Sequence, residues 1–493
     1  MAETGAVLTY AELDQMSARL ARYLHERGLR KGDHIALLTD NRPEAFEVYW
    51  AALRSGLYVT AVNWHLSPDE VTYIVNDCEA QALIVAASQT ETARSVADTT
   101  PAVRIRLSFG GPVEGYLSFT DELRDVSPEP LPQQPRGADM LYSSGTTGRP
   151  KGIKPPLPDT DIDDPESKAA LFGLVFGFDA GTRYLSPAPI YHAAPLRFCG
   201  WVQELGGTVV LPPRFDPEMA LEAIERYQIT HSQWVPTMFI RMLKLDPAIR
   251  SKYDLSSLKV AIHAAAPCPV EVKRAMIDWW GPVLHEYYAG TESSGITFIN
   301  SEQWLAKPGS VGLPGLGEIR ICDEAGRVLP AGESGTVYFA REEPVFEYHN
   351  DPAKTASARH PEHPEWSTLG EIGYLDSDGY LFLTDRKAFM IISGGVNIYP
   401  QEIENALALH PKVSDVGVIG VPDEEMGESV LAVVEPAPGV AGGDELAAEL
   451  RDFLRERIAH YKVPSTFEFT GDLPRTPTGK LVKGKLRERY AAR

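Results

Sequence analysis

The chain has 493 residues, 43% of them hydrophobic and 23% charged, which allows several packed domains and is ordinary for a soluble globular protein. Its net charge of −21 argues against the basic face that nucleic-acid binding needs, and no stretch approaches the ~20 apolar residues of a membrane-spanning helix. Cys78, Cys199, Cys268 and Cys322 are widely spaced with no CxxC pair, so buried thiols are expected rather than a metal or redox cluster. The N-terminal stretch lacks the charged start and apolar run of a signal peptide, and a cytoplasmic enzyme is the expectation. Oligomeric state has no signature here.

In chain order, Leu13, Met16, Leu20 and Leu24 recur at helical spacing, Gly28 stops that helix, and "HIALL" reads as a buried strand. "RPEAFEVYWAALRSGLYVTAVN" repeats the pattern, and "QALIVAA" (81–87) and "VRIRLSF" (103–109) are further short strands. Alternating strands and helices predict a parallel sheet covered on both faces. The acidic, proline-bearing segment 155–171 reads as a surface excursion. The alternation then resumes, with "GGTVVL" before the helix "PEMALEAIERY" and "LKVAIHAA" before "PVEVKRAMIDWW".

From about residue 309 to 385 turn residues separate short alternating runs, predicting a smaller antiparallel, β-rich subdomain. Beyond Arg386 the texture changes again. A helix at "IYPQEIENALALHP", strands at "VSDVGVIGVPD" and "GESVLAVVEP", and an amphipathic helix carrying Leu446, Leu450, Phe453 and Leu454 predict a compact α+β unit. The expected organisation is a large α/β body over 1–385 and a small domain over 386–493.

Between the first two groups of elements lies "YSSGTTGRPKG", residues 142–152. A P-loop of the form GxxxxGK[ST], counted from Gly145, would need glycine where Pro150 stands and a hydroxyl where Gly152 stands. Proline has no N–H to offer a phosphate and glycine has no oxygen for magnesium, so that assignment fails twice. The composition still suits phosphate. Gly145 and Gly148 allow close backbone approach, Ser143, Ser144, Thr146 and Thr147 carry hydroxyls, and Lys151 carries charge.

Four further stretches follow in order. "YAGTE" runs from Tyr288 to Glu292, "LGEIGYLD" carries Glu371, "DRKAFMIISGGVNIYPQEIE" carries Arg386, and "PRTPTGK" ends at Lys480. With the loop, these resemble the five ordered motifs of the adenylate-forming superfamily: acyl-CoA synthetases, luciferases and peptide-synthetase adenylation domains. The resemblance spans essentially the whole chain, and the segment after Asp385 is most similar to bacterial fatty- and steroid-type acyl-CoA synthetases. Three positions depart from the family pattern. Ala289 replaces a glycine, Glu371 replaces an aspartate, and Ala388 stands at the hinge position that is usually Asp or Lys.

The resemblance implies the chemistry. A carboxylate attacks the α-phosphate of ATP to give acyl-AMP and pyrophosphate, and the acyl group then passes to coenzyme A while the small mobile domain rotates. It implies ATP, Mg²⁺ and coenzyme A as cofactor and co-substrates, and a small-molecule fatty, steroid-type or aryl acid as partner. Lys480, Glu292, Thr147 and His192 are the implied catalytic residues, Lys480 at the scissile acyl–phosphate junction, Glu292 as the magnesium ligand, and His192 lining the acyl pocket near the carboxylate. Ser143 to Gly148, Lys151 and Thr291 would hold phosphate. Ala264, Ala265, Tyr287 and Tyr288 would lie along the adenine, Glu371 would take the ribose, Arg386 the ribose or a phosphate, and Gly395 the pantetheine channel. Trp234 and His263 are further candidates for the pocket wall. Taken alone, Glu292 would be a solvated glutamate, His192 a structural histidine, and Lys480, Lys483 and Lys485 one basic tail; the motif context reverses those readings.

Two other functions compete with a CoA ligase. An adenylating enzyme could deliver to a different acceptor: an amine, a carrier protein, or nitrite and an arylamine. A non-catalytic acyl-binding protein would require loss of Lys480, Glu292 or the loop, and none is lost.

Overall fold

The structure is a computed structural model describing all residues except 2, 144–149, 387–388, 395, 424–425, 476–480 and 491–493, with the side chains of 385, 386 and 397 also outside the description. A first sheet of six parallel strands runs Leu117–Ser118, Ile105–Phe109, Ala82–Ala86, His34–Leu38, Tyr58–Val62, Ala138–Asp139. Its three central strands are buried along their whole length, which is why they read as unbroken apolar runs. The helix Tyr10–Glu26 opens with a reciprocal Thr9–Glu12 capping box and is followed by Gly28 in the left-handed region (φ +88°), the stop expected from sequence.

A second sheet holds five parallel strands in the order Thr208–Val210, Arg183–Leu185, His231–Trp234, Val260–His263, Leu284–Ala289. One apolar core joins the sheets through the helices Ser167–Phe176 and Ala193–Glu204, uniting Leu37, Val59 and Ile84 with Phe172, Phe198, Ile262 and Tyr287. The opposite face of the second sheet has its own core around Trp234, Phe239 and Met276.

The antiparallel section is not a separate sheet. It continues the second one through Ile296–Asn300 and Ser310–Leu316 into Leu381–Arg386, Glu371–Leu375, Gly335–Ala340 and Glu318–Cys322. The strand Ser310–Leu316 makes this join by bending at an irregularity between Ser310 and Gly312. Gly312 sits at φ +104°, and a Cβ there would lie 2.1 Å from the Phe298 carbonyl oxygen.

The segment 155–171 follows the surface but is clamped. Arg136, 4% exposed, donates to the carbonyls of Ile162 and Asp164 and pairs with Glu204, and Ser167 already begins a helix that buries Ala169. Periodicity could not reveal this, because the anchor comes from a residue outside the segment.

The C-terminal elements form a sheet of Val396–Ile398, Ile391–Ser393, Gly427–Pro436 and Val413–Asp423, with Thr466–Phe469 parallel to Gly427–Pro436. Leu446, Leu450 and Leu454 of the helix Asp444–Arg455 bury against Ile403, Leu407 and Val418. Phe453 lies at the rim against His410, and the helix ends before the amphipathic pattern does, the Arg457 guanidinium covering the Phe453 ring at 3.6 Å. Lys483 is no part of a solvated tail. It is buried, pairs with Glu404 at 2.9 Å, and Glu404 also accepts from the Val418 N–H at 2.7 Å. Lys244 donates to the Val413 carbonyl at 2.8 Å, linking the large body to this unit. Cys78, Cys199 and Cys322 are buried as expected, and Cys268 is partly covered. Among the described residues no helix is long and apolar enough to cross a membrane.

Glu47 is buried in the helix Glu44–Leu53, and burial pushes its carboxyl up to about 7, with Glu44 and Glu12 adding repulsion. The folded state therefore holds a proton that the unfolded chain has released. Stability falls as pH rises from the ordinary glutamate value of 4.5 through about 7. Glu47→Gln should be close to neutral near pH 4 and stabilising by about 1–3 kcal/mol near pH 8, read from urea unfolding at both values.

Candidate active site

The glycine-rich stretch lies between two paired strands. Leu141–Ser143 pairs antiparallel with Lys151–Lys154, Ser143 opposite Lys151, and Glu347–Tyr348 adds a third strand beside Ile153 and Lys154. Both feet of the loop are fixed to one neighbourhood. The Tyr142 hydroxyl donates to Asp77 at 2.5 Å, and the Tyr73 hydroxyl donates to the Pro150 carbonyl at 3.2 Å. Burial and the nearby Lys354 hold the Lys151 ammonium below its ordinary value, with Asp351 opposing. Ser144, Gly145, Thr146, Thr147 and Gly148 lie outside the described residues.

Tyr348 connects two sequence motifs. Its hydroxyl donates to Glu292 Oε1 at 2.8 Å, and Lys151 Nζ lies 5.9 Å from its ring centroid. Glu292 folds back over its own turn: a Cβ on Gly290 would lie 2.7 Å from Glu292 Oε2. A hard carboxylate oxygen is the donor type magnesium takes. Among the described residues no group of three His, Cys, Asp or Glu could enclose a metal. That donor set fits a hydrated ion carried chiefly by phosphates rather than a protein cage.

The other motif residues converge a short way along. The Tyr288 hydroxyl donates to Glu371 Oε2 at 3.1 Å, and Glu371 stands opposite Arg386 in the antiparallel pair. The longer glutamate thus reaches a phenol within the site. Ala264 and Ala265 follow the strand Val260–His263 directly, and Ala265 is left-handed (φ +73°), as is Ser293 (φ +54°) just past Glu292. Non-glycine residues held there store about 1–3 kcal/mol of strain each and need surrounding structure to hold them.

Sequence reading missed the charges that support the strand Leu284–Ala289 and the turn after it. Arg197, on the buried helix Ala193–Glu204, forks onto Asp139 with contacts of 2.6–3.0 Å and donates to the Thr291 carbonyl at 3.2 Å. An arginine inside "PLRFCGW" was the available signal, since a charge on an apolar helix needs a partner. On the other face Lys273, fully buried, pairs with Glu286 at 2.6 Å, two residues before Tyr288. His263 lies 3.6 Å from the same carboxylate, and burial holds its imidazole well below the usual range, so it is neutral.

Pairing Trp234 with His263 and His263 with Glu286 puts all three on one face of the sheet. Trp234 and His263 accordingly pack with Phe239 in the rear core. Gln233 and Tyr287 occupy the front face, where the Gln233 amide donates to the Tyr287 hydroxyl at 3.3 Å. His192 stands at the N-cap position of Ala193–Glu204 without a side-chain capping bond, its ring 4.4 Å from that of Tyr191. Gly395, Lys480 and the hinge residue Ala388 lie outside the described residues, as does the Arg386 side chain.

Removing one member of the rear pair leaves a bare charge in the core. Lys273→Met should destabilise by about 3–5 kcal/mol, and adding Glu286→Leu should recover most of that loss. Urea unfolding of the two variants checks it; equal stability of the single and double variants would contradict this account.

Comparison with known proteins agrees with the geometry. A family model described as AMP-binding enzyme matches residues 2–348, and one described as AMP-binding enzyme C-terminal domain matches residues 402–480. A feruloyl-CoA synthase of Amycolatopsis sp is 35% identical over 99% of this chain and 94% of its own length. The structure of the anthranilate CoA ligase AuaEII in complex with anthranoyl-AMP superposes with a TM-score of 0.84 at 27% identity, covering 98% of this chain and 92% of that one. The amide bond synthetase McbA from Marinactinospora thermotolerans superposes with a TM-score of 0.83 at 27% identity, covering 99% and 96%. The loop hairpin, the Tyr348 bridge to Glu292 and the Tyr288–Glu371 contact thus sit in a chain that belongs, over its whole length, to the AMP-binding enzyme family of adenylate-forming ligases.

Proposed function

We propose that the chain is an acid–CoA ligase that activates a carboxylic acid with ATP. The acid's carboxylate oxygen attacks the α-phosphorus, the bond to pyrophosphate breaks, and the coenzyme A thiolate then attacks the acyl carbon and releases AMP. The observation that carries this reading is the Tyr348 bridge, because it gathers Lys151 and Glu292, from motifs far apart in sequence, around one phenol. Two anions must meet in the first step, and fixed positive charge lowers that barrier. Lys151, with Thr147 and the other hydroxyls of the loop, is assigned the β- and γ-phosphates. Glu292 is assigned Mg²⁺, which when bound neutralises phosphate charge. Tyr288, Ala264 and Ala265 are assigned the adenine, Glu371 and Arg386 the ribose, His192 the carboxylate end of the acid, and Lys480 the α-phosphate oxygens. Residues from 386 onward are proposed as the domain that moves between the two half-reactions, with Gly395 beside the pantetheine.

The acid is proposed to be aryl or arylpropenoic, because the named relatives at 35% and 27% identity are a feruloyl-CoA synthase and an anthranilate CoA ligase. The resemblance of McbA supports a second reading in which an amine takes the acyl group. Both readings release AMP and pyrophosphate; they differ in the acceptor. Turnover of a cinnamic-type acid with ATP should give AMP as the nucleotide product and a thioester only when coenzyme A is present. Chromatography and product mass read both, ADP would overturn adenylation, and a product requiring an amine but no coenzyme A would favour the second reading. Lys480→Ala should lower acid-dependent pyrophosphate release by about 10²–10³ while leaving the unfolding midpoint unchanged, since the lysine is assigned to transition-state charge rather than to packing.

A further inference from the structure

Glu292 sits inside a four-residue turn closed by the Ser293 N–H donating to the Gly290 carbonyl at 3.0 Å. The turn begins where the strand Leu284–Ala289 ends. Arg197 Nη1 donates to the Thr291 carbonyl at 3.2 Å and reaches the Ser293 hydroxyl at 3.5 Å. One guanidinium nitrogen thus meets the residue before Glu292 and the residue after it. Its other nitrogens, Nε and Nη2, hold Asp139 at 2.6–3.0 Å. The two side chains are 13% and 11% exposed, so water competes little for these contacts.

Asp139 belongs to the approach to the glycine-rich stretch. It stands opposite Val59 at the edge of the first sheet, and the Met140 N–H donates to the Val59 carbonyl at 3.0 Å just before the strand Leu141–Ser143 begins. The base of Arg197 is equally fixed. Gly200, on the same helix, packs so close to the helix Glu44–Leu53 that a Cβ there would lie 2.9 Å from Tyr49 Cε1. A rigid fork therefore spans the strand that leads into the glycine-rich stretch and the turn that carries Glu292, two segments far apart in sequence. Serving both at once demands a guanidinium, because an ammonium is a point donor without the planar fork.

We infer that Arg197 is a positioning residue for the metal–nucleotide complex: it fixes the Glu292 turn relative to the strand that feeds the glycine-rich stretch, with Asp139 as its anchor. This inference rests on the assignment of Glu292 to Mg²⁺ above and adds a residue that acts through the turn. Pairing with Asp139 alone would make Arg197 a matter of stability. Its contacts to Thr291 and Ser293 make its loss felt in metal affinity, where removing a group that orients a ligand typically costs about 10–100-fold.

The test separates the two roles in the full-length enzyme, using wild type, Arg197→Lys, Arg197→Met, and Arg197→Met combined with Asp139→Asn. Water-proton relaxation reads binding of Mn²⁺ together with ATP in the absence of acid, calorimetry reads ATP alone in EDTA, and urea unfolding reads stability. Arg197→Met leaves a bare carboxylate and should unfold at lower urea; the double variant removes that charge and should regain most of the loss. Affinity for Mn²⁺ with ATP should nevertheless stay about tenfold or more below wild type in the double variant and in Arg197→Lys, while affinity for ATP alone is unchanged. Arg197→Lys keeps a charge for Asp139 should the methionine variants fail to fold. Wild-type Mn²⁺ affinity in the folded variants, or ATP alone weakened as much as ATP with Mn²⁺, would overturn the positioning role while leaving adenylation standing. Pyrophosphate release is followed alongside; its absence in the wild type with every acid would instead overturn the adenylating reading, and the inference with it.

Discussion

The site depends on one constraint, the two-residue alternation of the strand Leu284–Ala289 carried into the turn that follows. Glu286 faces backward to Lys273, Tyr287 faces forward to Phe198, Tyr288 reaches Glu371, and Thr291 and Glu292 end the run against Arg197 and Tyr348. A slip of one residue would exchange every one of these partners. The register is fixed on one side by the parallel neighbour Val260–His263 and on the other by the antiparallel Ile296–Asn300. The second sheet changes from parallel to antiparallel at this strand, so its C-terminal end opens onto the turns that carry the motif residues.

Buried charge appears beside each functional segment. Arg197 with Asp139 supports the Thr291 turn, Lys273 with Glu286 backs the tyrosine pair, and Lys483 with Glu404 fixes the helix that follows the Lys480 segment. Such pairs add little net stability, because desolvating both charges consumes most of their attraction. Their effect is selective: any arrangement that separates the partners leaves a bare charge in the core. A left-handed Ser293, whose hydroxyl Arg197 also meets, requires that kind of enforcement, since propensity alone would relax it.

The first sheet, the helix Tyr10–Glu26 and the long C-terminal strands were legible because their periodicity and stop signals are local. The motif residues were legible as a set. Tyr348 was not, since "VFEYHN" carries no pattern until the third strand of the hairpin sheet brings it against Glu292. The rear position of Trp234 and His263 was hidden for a related reason. Both are apolar-neighbour residues at strand ends, and only the register of three strands decides which face they take. The join of the antiparallel section to the second sheet rests on Gly312 approaching the Phe298 carbonyl, a contact between residues fourteen apart whose meaning emerges only in three dimensions.

Ala265 carries a consequence for how this chain can change. It is exposed, so its left-handed backbone is enforced by the rigid strand before it rather than by packing of its methyl group. Glycine would remove the steric strain but would widen the conformational range of the unfolded chain, and the two effects oppose each other at about 1 kcal/mol each. The position is therefore nearly neutral for stability while bearing directly on the shape of the turn that follows the strand Val260–His263. A lineage can cross it without a folding penalty, which makes residue 265 a place where drift in the shape of that turn can accumulate unseen by selection for fold.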